Sequence, residues 1–142
     1  MRLVVLSALL LASAAAHAQS RPVSAVVKAT SQPQFGLDAR LGERISVRAL
    51  TAFATDFGDT SVILNLAGFY RLSGPGSFGT RVGASLTTVD VEDIPLFGGI
   101  VGADYALSDR FGVFGEVALD VDTTADVLLS VSNTGVGVRV GL

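Results

Sequence analysis

Between Phe97 and Leu107 the chain reads FGGIVGADYAL, with larger apolar side chains at every second position and Asp104 falling between them. A period of two belongs to a β-strand, whose successive side chains point to opposite faces. Phe97, Gly99, Val101, Ala103, Tyr105 and Leu107 share one face; Gly98, Ile100, Gly102, Asp104 and Ala106 share the other. The alternation returns in eight segments, 22–30, 34–41, 45–54, 61–72, 78–89, 97–107, 111–121 and 129–142, punctuated by Gly, Pro, Asp and Ser. That spacing predicts a single all-β domain.

Each segment has one clean apolar face, and the charges gather on the other. Lys28, Asp38, Arg40, Arg48, Asn65, Arg71, Arg81, Asp104, Glu116, Asp120 and Arg139 all take polar-face positions, giving six cations and four anions beside Asn65. Alternation alone does not say which face meets water, because a soluble barrel or sandwich alternates too. The composition of the polar face favours an interior. It also holds Ile63, Phe69, Gly98, Ile100, Gly102, Phe114 and Ala118, and the chain has a single Lys, which makes a poor wet surface. Inside a narrow eight-stranded barrel the inward side chains nearly fill the bore, so the charges are expected to interdigitate as ion pairs, with small residues making room. Pointed at lipid, a midplane Arg or Lys would cost about 2–4 kcal/mol. Lys28, Asp38, Arg40, Arg48, Arg71, Arg81, Asp104, Glu116, Asp120 and Arg139 are therefore the expected lumen charge network.

The apolar faces carry the aromatics in two groups. Tyr70, Phe78, Tyr105 and Phe111 fall at one rim and Phe35, Phe53 and Phe97 at the other, as interfacial girdles would. Only Phe69 and Phe114 point inward. Strands of about ten residues suit a tilted crossing of the hydrocarbon layer. The connections at 42–44, 73–77 and 108–110 read as tight turns. Longer acidic ones around Asp56 and Asp59, around Asp90, Glu92 and Asp93, and around Asp122 and Asp126 read as loops on the other side. The predicted fold is an eight-stranded antiparallel up-and-down transmembrane β-barrel with both termini on the periplasmic side.

The first residues read as an export signal: Arg2, an apolar run from Leu3 to Ala16, and a small-x-small site at Ala16-His17-Ala18. Cleavage is expected after Ala18, leaving 19–142 as a single domain with nine basic and thirteen acidic residues, a net charge of −4. No second apolar run offers a spanning helix. The chain has no Cys, which removes disulfides, thiolate metal sites, a cysteine nucleophile and a lipid-anchored cysteine. Its one His, His17, lies in the signal, so imidazole chemistry is unavailable to the mature protein. No loop has EF-hand spacing, and no Gly-rich segment leads into a helix with a Lys-Ser/Thr ending. The acidic balance argues against nucleic acid. No catalytic, cofactor-binding or metal-binding residue is predicted.

Two short stretches carry a resemblance. Tyr105-Ala106-Leu107-Ser108-Asp109-Arg110-Phe111-Gly112-Val113 resembles the hairpin turn of the small OmpA-like and opacity-type outer-membrane β-barrels, and Gly135 to Leu142 resembles their closing strand. The resemblance implies a location in the bacterial outer membrane, with outer-membrane lipid and the barrel-assembly machinery as partners. It also implies an assembly signal at Val136, Val138, Val140 and Leu142, although the family usually ends in Phe or Trp rather than Leu. The expected function is that of a non-enzymatic integral outer-membrane protein, either structural in the envelope or binding an extracellular partner through its loops. Two alternatives stand beside it: a narrow porin-like channel for solutes or ions, and a soluble secreted β-barrel enclosing a small apolar ligand.

Overall fold

The computed structural model describes residues 23–56, 59–73, 77–90, 95–122, 128–130 and 134–142. The expected signal with its cleavage site, and the loop residues Glu92, Asp93 and Asp126, lie outside them. The strands are β1 (Val23–Ala29), β2 (Gln34–Arg40), β3 (Ile45–Asp56), β4 (Asp59–Arg71), β5 (Phe78–Val89), β6 (Leu96–Ala106), β7 (Phe111–Asp122), β8 (Leu128–Ser130) and β9 (Gly135–Gly141). Each of the first seven pairs antiparallel with the next, β9 pairs with both β7 and β1, and the ring closes. β8 lies along the same edge of β7 as β9, so the two form one stave of an eight-stranded up-and-down barrel. Among the described residues, closure gives each of β1 to β7 and β9 a partner on both sides, and β8 pairs with β7.

The eighth stave departs from the unbroken strand expected at 129–142. Asp120 pairs with Ser130 and Glu116 with Gly135, so four steps along β7 are matched by five along its partner. One additional residue in the closing stave slips the register, as at a β-bulge. Alternation counted back from Val138 therefore does not carry through to Leu129.

The connections also differ from expectation. Those at 41–44, 72–77 and 107–110, on the side of the termini, are about as long as those at 30–33, 57–58, 90–95 and 123–127 on the other. The expected contrast of short turns and long loops is weakened because β3 and β4 extend toward each other, while β2, β4 and β6 each end one residue early on the side of the termini. Thr55 pairs with Thr60 and Asp56 with Asp59, continuing the β3–β4 ladder through what reads as a loop. At the end of β5, Asp90 adopts φ 56°, a left-handed conformation that Asp tolerates better than most residues. Its carboxylate accepts a 3.0 Å bond from the Val62 amide and its own amide donates to the Val62 carbonyl. Asp90, in the acidic connection after β5, thus ties the end of that strand to Val62 of β4.

At the other end, Ser108 shapes the β6–β7 turn: its hydroxyl accepts from the Phe111 amide at 3.1 Å while its amide donates to the Phe111 carbonyl. The Leu142 amide donates to the Val23 carbonyl and so ties the chain end to the first strand.

Candidate functional site

Inside the barrel, burial follows strand parity. Lys28, Asp38, Arg48, Asn65, Arg81, Asp104, Glu116 and Asp120 are all buried, along with Val26, Leu50, Phe69, Ile100, Phe114 and Ala118. The wall is reversed: Val101 is 63% exposed, Val117 50% and Phe97 59%, whereas Lys28 is 1% exposed.

Glu116 is the hub of the bore. Its cross-strand neighbours are glycines on both sides, Gly102 of β6 and Gly135 of β9, and a β-carbon on Gly102 would lie 3.1 Å from Glu116 Cβ. Three cations surround its carboxylate. Lys28 Nζ pairs with Oε1, Arg48 Nη1 donates to Oε1 at 3.0 Å and to Oε2 at 3.1 Å, and Arg81 Nη2 donates to Oε2 at 3.2 Å. Asp38, directly opposite Arg48 in the β2–β3 ladder, supplies a second carboxylate 3.4 Å from Arg48 Nε and 3.9 Å from Arg81 Nη1. Charges so far from water survive only when each is matched by an opposite charge and by donors.

The two inward aromatics complete the arrangement. The Arg48 guanidinium lies 4.5 Å from the Phe69 ring centre and 4.7 Å from that of Phe114; for Arg81 the distances are 4.5 and 5.0 Å. Each ring face attracts the cations beside it. A β-carbon on Gly83 would meet Phe69, and one on Gly137 would meet Phe114, so each ring occupies the space left by a glycine on the adjoining strand. The parity that turns Phe69 and Phe114 inward is legible in sequence, but their stacking on arginines is not.

A second group lies toward the end that carries the termini. Arg139 Nη2 donates to Asp104 Oδ2 at 2.7 Å. Arg40 and Arg71, expected in the lumen, line its mouth instead, with Arg40 exposed and Arg71 half-buried. Toward the opposite end, Asn65 Nδ2 donates to Thr87 Oγ1 at 2.8 Å. Asp120 lies over Gly98 at 1% exposure, yet neither of its oxygens has a hydrogen-bond partner among the described residues. Among the described residues no three acidic or imidazole side chains converge to hold a metal ion.

On the outer wall, Tyr70, Phe78, Tyr105 and Phe111 are exposed near the end with the termini, and Phe35, Phe53 and Phe97 near the other. The Phe35 and Phe53 rings touch at 5.9 Å between centres. Val136, Val138 and Leu142 are exposed along the closing strand, and Val140 is half-buried. A shallow apolar groove on this wall runs past Gly115, between Val27, Tyr105, Val113 and Val138.

No family model matches the chain, and no curated protein matches it in sequence. Among solved structures, it is similar to the N-terminal β-barrel domain of Pseudomonas aeruginosa OprF, with a TM-score of 0.61 at 13% identity over 86% of this chain and 96% of that one. The two share the fold of a small, closed eight-stranded antiparallel barrel.

Proposed function

We propose that this chain is an integral protein of the bacterial outer membrane, non-enzymatic, whose barrel serves the envelope structurally or presents its connections to an outside partner. One observation carries the reading. The barrel is inside out for water, with Lys28, Arg48 and Glu116 buried in the bore while Val101, Val117, Phe97 and Tyr105 are exposed on the wall. In water that wall would leave a continuous apolar belt unburied; in a bilayer it meets hydrocarbon between two aromatic rims. Outer-membrane lipid is then the first partner. In the same reading, the barrel-assembly machinery recognises Val136, Val138, Val140 and Leu142 on the closing strand.

The porin-like alternative finds less support in the bore. Glu116, Lys28, Arg48 and Arg81 meet at its middle, with Phe69 and Phe114 against the guanidiniums, and leave side chains where a water column would run. The soluble alternative needs an enclosed apolar cavity, whereas the apolar groove described above lies on the outer wall. Lipid-modifying chemistry would lack imidazole in the mature chain, since His17 precedes the expected cleavage site.

The test is mobility of the refolded mature chain on a gel with and without boiling, paired with carbonate washing of native envelopes. A mobility shift with retention in the membrane is the expected result. Release into the wash with no shift would refute membrane integration.

A further inference from the structure

The charges of this barrel are sorted along its axis. Where the bore opens at the end with the termini, Arg40, Arg44, Arg71, Arg81 and Arg139 line one small cavity with Glu43 and Asp104. Arg81 reaches Glu116 deeper in the bore and the Arg44 guanidinium lies against Tyr70 on the outer wall, so the guanidiniums of Arg40, Arg71 and Arg139 are the three that face the two carboxylates there. The connections at the opposite end, 30–33, 57–58, 90–95 and 123–127, contain no Lys or Arg at all.

Deeper acids do not balance this mouth, because Glu116 and Asp38 are engaged by Lys28, Arg48 and Arg81. The mouth is also built rather than merely charged. A β-carbon on Gly79 would lie 2.7 Å from Arg71 Nη2 and 2.9 Å from Asp104 Oδ1, and one on Gly112 would lie 3.0 Å from Arg139 Nε. Each glycine therefore seats a guanidinium inside the opening, where a side chain would push it out. Asp104 already shows what the site accepts: an oxyanion, held by Arg139 at 2.7 Å.

We propose that this mouth binds a phosphate-class oxyanion between Arg40, Arg71 and Arg139, beside Asp104. The planar fork of Arg matches phosphate oxygens two at a time, and the low-dielectric wall of the bore focuses the field of the cluster on its opening. Free pyrophosphate and the phosphodiester of an anionic lipid headgroup at the rim present the same chemistry. The inference rests on the shape of the bore and not on membrane placement, so it stands or falls in detergent.

The experiment is titration of the refolded mature chain in nonionic detergent, followed by calorimetry. One arm uses sodium pyrophosphate, a second uses micelles doped with phosphatidylglycerol, and sodium chloride at matched ionic strength is the control. Saturable binding is expected in at least one arm, weakened about fivefold or more by Arg40→Gln and tightened several-fold by Asp104→Asn, which removes the competing carboxylate. Arg110→Gln, at the same end but outside the cavity, should leave it unchanged. If Asp104→Asn does not fold, Glu43→Gln should tighten binding in its place. Response to pyrophosphate alone assigns a free anion, and response to the lipid alone assigns a headgroup. Binding no better than chloride, or equal weakening by Arg40→Gln and Arg110→Gln, would overturn the proposal.

Discussion

Glu116 and Asp120 sit on the same face of β7, four residues apart, and their surroundings give them opposite consequences. Glu116 is matched by three cations, so Glu116→Leu strands Lys28, Arg48 and Arg81 beside a methyl-lined gap. Removing one partner of a buried ionic cluster costs about 3–5 kcal/mol, and urea unfolding of the refolded barrel followed by circular dichroism should show a loss of that order. Asp120 is buried without a hydrogen-bond donor among the described residues. Replacing an unsatisfied buried carboxylate by a neutral amide relieves its desolvation, so Asp120→Asn should raise stability by about 1 kcal/mol in the same assay. A loss instead would mean that its charge supports Lys28. Strand parity put both residues in the bore; it could not distinguish them, because which cation reaches which carboxylate depends on strands far apart in sequence.

At the scale of the strand, the pairing of a large inward side chain with an inward glycine on the next stave recurs along the barrel. Phe69 lies over Gly83 and Phe114 over Gly137. Gly137→Val would place branches where the Phe114 ring sits, and overpacking of this kind costs about 1–3 kcal/mol, readable as an earlier urea midpoint. The outward face gives a complementary prediction. Val117→Arg, set mid-strand on the wall, should destabilise the barrel by about 2–4 kcal/mol in phospholipid vesicles, whereas a water-facing Val would tolerate Arg almost without cost. Seven staves were legible because their alternation is uninterrupted, from the Lys28 face of β1 to the Glu116 face of β7. The eighth was read as continuous because its one-residue register slip leaves no mark in a single chain's hydropathy. The β3–β4 extension was hidden for a related reason: Thr55, Asp56, Asp59 and Thr60 are polar on both faces, so pairing continues where contrast between faces stops.

For the whole molecule, the governing fact is which solvent each face meets. The interior was legible as a class, six cations against four anions on polar faces, while the mouth cluster was not. Arg40 and Arg71 share the parity of Arg48, and only barrel length and stagger separate rim from middle. The likeness to the OprF barrel domain at 13% identity fits this economy, since a closed eight-stranded barrel asks for alternation, space inside and tight turns more than for particular residues. The chain has no Cys, so a single engineered cysteine carries a unique label. The most direct measurement is nitroxide collision accessibility at Val101→Cys, Val117→Cys and Val138→Cys in phospholipid vesicles, comparing lipid-soluble oxygen with a water-soluble nickel complex. Strong oxygen contact and weak nickel contact at all three positions is the predicted result; nickel contact dominating at these mid-strand outward sites would contradict a wall turned toward lipid.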